Sequence, residues 1–227
     1  MNFFIENKEI DDIIRDIRKK IRLSMNGDIS QSMEKMGIVY KKNFGVNIPR
    51  LKEIRSLYQP NHDLAQRLWA LKIRETMILA TMLQPIDKFT PELAGKWLTD
   101  INQPELAEQT TMNLFSKLPF AAELALDWIN SPELWNQIVG YMLIARVWKS
   151  FSEIQISAII EKAIQMANTG EMMLYKSIGL ALSRIARKNK STAEKILQQI
   201  DPFKNSDKAS EKYIFSEISN EVSFLNF

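Results

Sequence analysis

Residues 90–106, TPELAGKWLTDINQPEL, decide the fold. Thr90-Pro91-Glu92-Leu93 reads as a complete helix start. The threonine oxygen accepts a free N–H, the proline has no N–H to leave unpaired, and the glutamate meets the positive end of the helix dipole. Gln103-Pro104-Glu105-Leu106 repeats the device with a poorer cap, and Ser131-Pro132-Glu133-Leu134 repeats it again. Helix starts at such short intervals predict short helices joined by short turns.

The same reading extends in both directions. Ile10, Ile13, Ile14, Ile17 and Ile21 recur at the spacing of one helix face. After Gly27 a second helix is predicted from about Ser30 to Lys42, stopping near Gly45. A third opens at Pro49, and a fourth follows Pro60-Asn61 with Leu64, Leu68 and Leu71 on one side. A fifth covers Glu75 to Met82 ahead of Pro85. Toward the C-terminus, helices are predicted over 119–130, 133–149, 153–168, 171–188, 191–199 and 207–222, and no stretch alternates as a strand does. The pattern fits an all-α, HEAT-like helical-repeat solenoid of roughly 40 residues per repeat. Residues 1–227 are expected to form a single domain, with an irregular helical bundle as the alternative. Trp69, Trp97, Trp128, Trp135 and Trp148 are expected in the core and between repeats rather than as stacking platforms.

Composition narrows the function classes. The 227 residues are 45% hydrophobic and 25% charged, which excludes a disordered or fibrous chain. There is no cysteine, so disulfides and thiolate metal sites are excluded. No apolar run approaches the roughly 20 residues that span a bilayer. The opening MNFFIENKEIDD is acidic where a signal peptide is basic. The expectation is therefore a cytoplasmic protein with no membrane partner. A net charge of +3 permits a polyanionic partner without requiring one.

Common catalytic motifs are absent: there is no phosphate-binding glycine loop, no GxGxxG and no HExxH. His62, the single histidine, follows a proline in a polar turn and is expected to be solvated or to cap a helix. Serine nucleophiles have no second histidine for a relay, and no cofactor or metal is expected. The basic residues carry more information. Arg15, Arg18, Lys19 and Arg22 share one helix face opposite the isoleucines, where a solvated outer surface explains them. In the helix over 171–188, Leu174, Ile178, Ala181, Leu182 and Ile185 form a buried side. Its other side holds Lys176, Leu180, Arg184, Arg187 and Lys188, a leucine among cations, as expected of a ligand-facing surface. Arg146 with Lys149, and Lys41 with Lys42, are candidates for the same surface. Cations aligned along one groove follow a phosphate backbone by neutralising charge and releasing counterions.

At this point the residues resemble a known family. Tyr40-Lys41-Lys42-Asn43-Phe44-Gly45-Val46 with Ile48-Pro49-Arg50 is similar to the N-terminal pattern of AlkD-type DNA alkylation repair proteins, the HEAT-like repeat DNA glycosylases. Leu68-Trp69 with Arg74-Glu75, Trp128-Ile129 with Ser131 and Trp135, and Lys176-Ser177-Ile178-Gly179 with Lys188 continue the resemblance in order, over roughly residues 35 to 190. It implies a HEAT-like fold around a basic concave groove that takes double-stranded DNA. In active members an aspartate stabilises positive charge developing on the sugar, with tryptophans and an arginine lining the groove. A cationic alkylated base already leaves readily, so carboxylate electrostatics suffices. This chain departs from that pattern. An ungapped register puts Gln109 at the aspartate, Glu105 at the tryptophan, Ile138 at the groove arginine and Leu180 at the later tryptophan, while Tyr40 persists. Glu108 replaces the aspartate only if the register slips by one residue, a rotation of about 100° around the helix. Glu105 and Glu108 are otherwise expected on a solvated acidic face.

The sequence thus predicts a branch of the family that lacks the catalytic residues and binds duplex or damaged DNA. The expected contacts are Tyr40, Lys41, Lys42, Arg146, Lys149, Lys176, Arg184, Arg187 and Lys188, acting chiefly on phosphates. Two rivals stand beside it: an alkylpurine glycosylase using Glu108, and a scaffold that binds a protein partner.

Overall fold

The structure, a computed structural model, describes residues 4–225. Among them are thirteen α-helices and no strand. In order they are α1 (Lys8–Leu23), α2 (Gly27–Lys35), α3 (Ile48–Ser56), α4 (His62–Ala70), α5 (Arg74–Leu83), α6 (Pro91–Leu98) and α7 (Pro104–Asn113). There follow α8 (Ala121–Ile129), α9 (Leu134–Val147), α10 (Glu153–Met166), α11 (Met172–Ala186), α12 (Lys190–Ile200) and α13 (Ala209–Ser223). Two compact units part between Leu118 and Pro119.

The chain's caps explain why so many short helices begin where they do. Asn7, Asn26, Asn47, Asn61, Thr90, Ser152 and Asn189 each accept a hydrogen bond from a backbone N–H in the first turn, with Pro49 and Pro91 just inside their helices. Such a cap contributes about 1 kcal/mol. At Ser152 the arrangement is reciprocal, because Gln155 also accepts from the Ser152 N–H. Two starts differ from expectation. Helix α9 begins at Leu134, and Ser131 serves the turn before it by accepting from the Glu133 N–H and the Asn136 amide. Gln103 does not cap α7; its side-chain amide donates to the Val39 carbonyl instead.

Helix α2 ends at Lys35, seven residues short of the predicted Lys42. Gly37 turns the chain with a φ of +80°, and Gly45 returns it with a φ of +68°. At Gly45 a Cβ would lie 2.0 Å from the Asn26 carbonyl oxygen, so only glycine fits. The irregular residues between and after them are held by the side chains of Arg74, Glu75 and Gln103, which bond to backbone groups of Val39, Phe44 and Val46.

In the first unit α1 packs on α3 and α4, α4 on α5, and α5 on α7. Ile17, Leu51, Ile54, Leu68, Ile78 and Leu79 fill that core. Trp69 and Trp97 stack at 4.0 Å between ring centroids, and Phe89 meets Trp97 edge-on. Their indole N–H groups are satisfied by Asp100 and Gln66. In the second unit α9 lies between α8 and α11, and α11 packs on α13. Gly140 lets α8 and α9 approach closely, since a Cβ there would lie 2.9 Å from Ile129. Trp69, Trp97 and Trp128 are buried in the core, as expected, whereas Trp135 and Trp148 are only half-buried. His62 opens α4 half-buried, with its Nδ1 3.0 Å from the Gln84 amide nitrogen.

Candidate nucleic-acid interface

The first unit holds a polar network at the place where the family resemblance puts chemistry. Arg74 and Glu75 open α5 and are both buried. A buried charge is costly unless it is paired and hydrogen-bonded. Arg74 meets this demand with every nitrogen. Its backbone N–H donates to the Lys42 carbonyl at 3.0 Å. Nη1 donates to the Val46 carbonyl at 2.8 Å and to Glu75 Oε1 at 2.9 Å. Nε and Nη2 donate to the two oxygens of Glu105, on α7, at 2.7 and 2.5 Å. That bidentate pairing is the strong form of the arginine–carboxylate bond.

Glu75 Oε1 also accepts from the Phe44 and Val46 N–H groups, while its Oε2 is buried without a partner among the described residues. Tyr40 completes the network by donating its hydroxyl to Glu105 Oε2 at 3.2 Å. Burial, and next the charge of Glu105, raise the Tyr40 phenol well above the usual tyrosine range. Burial alone lowers the Arg74 guanidinium, but the Glu105 hydrogen bonds and charge outweigh it, so its pKa lies above the ordinary value.

Glu105 is therefore not part of a solvated acidic face. That expectation fails because its partner is a buried arginine on another helix. Glu108 is exposed, as expected. Gln109, one position on, is a buried amide that accepts from Asn113, which in turn donates to Thr81. The network leaves Lys41 and Lys42 exposed beside Tyr40, with Lys42 5.1 Å from the centre of the Phe44 ring.

In the second unit α11 presents Lys176, Leu180, Arg184 and Arg187 along one face. Leu180 is 36% exposed between these cations. Lys176 is exposed, with its ammonium 6.0 Å from the centre of the Tyr213 ring on α13. Among the described residues neither Lys176 nor Arg184 has a carboxylate partner. The other cations are engaged. Arg187 pairs with Glu221 of α13, which raises its pKa through that hydrogen bond. Lys188 donates to the Phe151 carbonyl at 2.7 Å and lies 3.3 Å from Glu153. Arg146 and Lys149 are exposed at the end of α9, Lys149 lying 5.3 Å from the Trp148 ring centre. The structure thus brings Lys176, Arg184 and Arg187 onto one face, with Lys188 at the end of the same helix. Tyr40, Lys41 and Lys42 belong to the other unit.

The sequence reading missed the Arg74–Glu105 pair. The available signal was two adjacent charges, Arg74-Glu75, heading the otherwise apolar run MILATML, where any charge must find partners.

Among the described residues no group of histidines and carboxylates is placed to hold a metal ion, and no helix is long and apolar enough to cross a membrane.

The helix-on-helix packing defines a HEAT-like helical-repeat fold. Residues 7–212 match the family of the DNA alkylation repair enzyme, and the chain belongs to that family. A solved structure described as a new family of proteins related to the HEAT-like repeat DNA glycosylases, with affinity for branched DNA structures, is similar in fold. It has a TM-score of 0.75 at 17% identity, covering 91% of this chain and 94% of its own. An engineered protein aligns with a TM-score of 0.46 at 12% identity, over 92% of this chain and 96% of its own. No curated protein gives a significant match.

Proposed function

We propose that this protein binds DNA, bent, branched or damaged duplex included, and does not excise bases. The observation that carries the proposal is the face of α11, where Lys176 and Arg184 stand without carboxylate partners on either side of exposed Leu180. Cations in that arrangement neutralise phosphates, while an apolar side chain between them packs on sugars or an unstacked base. Lys149 and Arg146 of the same unit, and Lys41 and Lys42 of the other, are further phosphate contacts in this reading, whereas Tyr40, expected among them, is withdrawn because its hydroxyl is committed to Glu105. Arg187 and Lys188 contribute less, because each already faces a carboxylate. The family relationship supports a DNA partner, and the similar structure's affinity for branched DNA supports extending it to branched forms.

The absence of excision rests on the carboxylates of the first unit. Both oxygens of Glu105 are taken by Arg74 and Tyr40, and Gln109 is a neutral amide. Glu108 is exposed to water, where a charge is strongly screened. A protein-binding surface is the second reading, favoured by Glu221 against Arg187 on the same face.

Fluorescence anisotropy with a duplex and a four-way junction tests the proposal. The variant Lys176→Glu with Arg184→Glu is expected to weaken binding at least tenfold and to flatten the salt dependence by about 2 in log–log slope. No binding by the native chain at low ionic strength, or unchanged binding by the variant, overturns it. Release of a 3- or 7-alkylated purine, abolished by Glu108→Gln, overturns the claim that no base is excised.

A further inference from the structure

A second basic surface lies outside the residues used so far. Arg15, Arg18, Lys19 and Arg22 occupy one face of α1, opposite the buried Ile10, Ile17 and Ile21. With the 77%-exposed Leu23 they line a shallow surface hollow. A solvated outer face would pair its cations with nearby acids, and α1 has acids enough: Glu9, Asp11, Asp12 and Asp16. Asp11 and Asp16 are each held by groups outside this face. Asp11 receives Arg67 at 3.2 Å. Asp16 accepts from Lys20 at 2.7 Å and from the Tyr58 hydroxyl at 2.6 Å, bonds that lower its pKa with Lys20 contributing most. Asp12 alone turns back, to Arg15. Among the described residues Arg18 and Arg22 therefore have no carboxylate partner, and Lys19 makes no direct ion pair, its charge acting on Asp16 only from a distance.

Spacing indicates the partner's chemistry. From Arg15 to Arg22 the helix rises about 10 Å, a length of duplex that carries roughly six phosphates. Three of the four cations are arginines, whose planar fork matches phosphate oxygens. The C-terminal end of α1 adds the negative pole of its dipole, which accounts for Lys20 and Arg22 but not for Arg15 and Arg18 farther back.

We infer that the α1 face is an additional phosphate-contact surface for nucleic-acid backbone, acting independently of the α11 face. The inference rests on the DNA-binding reading above and adds a second contact to it.

The test is a triple variant, Arg18→Gln with Lys19→Gln and Arg22→Gln, compared with the Lys176→Glu and Arg184→Glu variant on the same duplex and junction. Lys19 and Arg22 are exposed and Arg18 is half-buried, so circular dichroism and thermal melting check that the fold is kept. The expected result is a salt slope lower by about 2.7, from three lost phosphate contacts, with the effect adding to that of the α11 variant. Retained native binding to both DNAs, with an unchanged slope, overturns this inference while the α11 variant's loss keeps the DNA-binding reading. Absence of DNA binding by the native chain overturns both. Polyglutamate captured by the native chain but not by the triple variant, with DNA binding unaffected, assigns the face to an acidic protein and also overturns the inference.

Discussion

Replacing Glu105 by glutamine leaves the shape of the side chain and removes its charge, so it isolates what the carboxylate does for Arg74. In the native structure Arg74 is 3% exposed and Glu105 20% exposed at the side chain, with two nitrogens of the arginine on the two carboxylate oxygens. Removing one member of a buried ion pair costs about 3–5 kcal/mol, because the other charge is left behind. Here Arg74 keeps Glu75 at 2.9 Å and the Val46 carbonyl at 2.8 Å. The expected loss therefore falls at about 2–3 kcal/mol, below the full range. For a chain of this size that lowers the melting temperature by about 5–10 °C. Urea unfolding followed by tryptophan fluorescence measures the free energy, with Trp69 and Trp97 reporting from the same unit. Tyr40→Phe removes one hydroxyl from the same carboxylate and is expected to cost about 1 kcal/mol alone. Combined with Glu105→Gln it should cost less than the sum, since the bond it breaks is already weakened. A loss under about 1 kcal/mol for Glu105→Gln would make the pair no better than a surface ion pair and refute the network. Strict additivity would show that Tyr40 and Glu105 act apart.

Further outcomes follow from the backbone and from titration. Gly45→Ala should cost at least about 2 kcal/mol, because a positive φ and a 2.0 Å approach to Asn26 coincide there; a near-neutral result in urea unfolding would contradict the close approach. Gly140→Ala should cost about 1–3 kcal/mol by crowding Ile129, whereas Gly95→Ala, with open space around it in α6, should stabilise by up to about 1 kcal/mol. Equal effects at the two glycines would refute the packing argument. Burial, reinforced at Tyr40 by the charge of Glu105, raises the phenols of Tyr40 and Tyr141, so the folded chain holds these protons after an unfolded chain has lost them. Their contribution is full below pH about 10 and is lost as pH rises beyond it. The variant Tyr40→Phe with Tyr141→Phe should therefore lose less stability on alkalinisation than the native chain, and an equal loss would sink the assignment.

The helical starts were legible because a cap is a local device: Thr90 and Ser152 accept from N–H groups three residues on, within any reading window. The isoleucine face of α1 was legible for the same reason, since its period is set by the helix itself. The end of α2 was not. Residues 36–42 resemble a continuing helix in the sequence, but over residues 39–46 Gln103, Arg74 and Glu75 claim backbone groups from 28 to 64 positions away. No window of neighbouring residues contains that competition. Glu105 was misread by the same mechanism. A glutamate in the first turn of a helix has a sufficient local explanation in the dipole, and the local explanation hid a partner 31 positions back. Among the cations, the sequence placed Lys176, Arg184 and Arg187 on one face, but the Glu221 contact that offsets Arg187 comes from a separate helix.

The departure from the catalytic pattern invites the reverse experiment, Gln109→Asp. A carboxylate that stabilises a developing sugar cation must face the substrate unpaired in a water-poor site. Position 109 is only 8% exposed, and its one described partner is the Asn113 amide, itself bonded to Thr81. Aspartate is one methylene shorter, so its oxygens draw back from Asn113 while the position stays buried. An incompletely paired buried charge there should cost about 1–3 kcal/mol, with the aspartate pKa raised by desolvation. Reintroducing the acid is therefore expected to weaken the first unit and to produce no release of alkylated purine. If instead Gln109→Asp releases a 3- or 7-alkylated purine from duplex DNA, the position faces a lesion after all. The burial of Gln109 and the engagement of Glu105 by Arg74 would then describe a site that opens on DNA rather than one filled by structure.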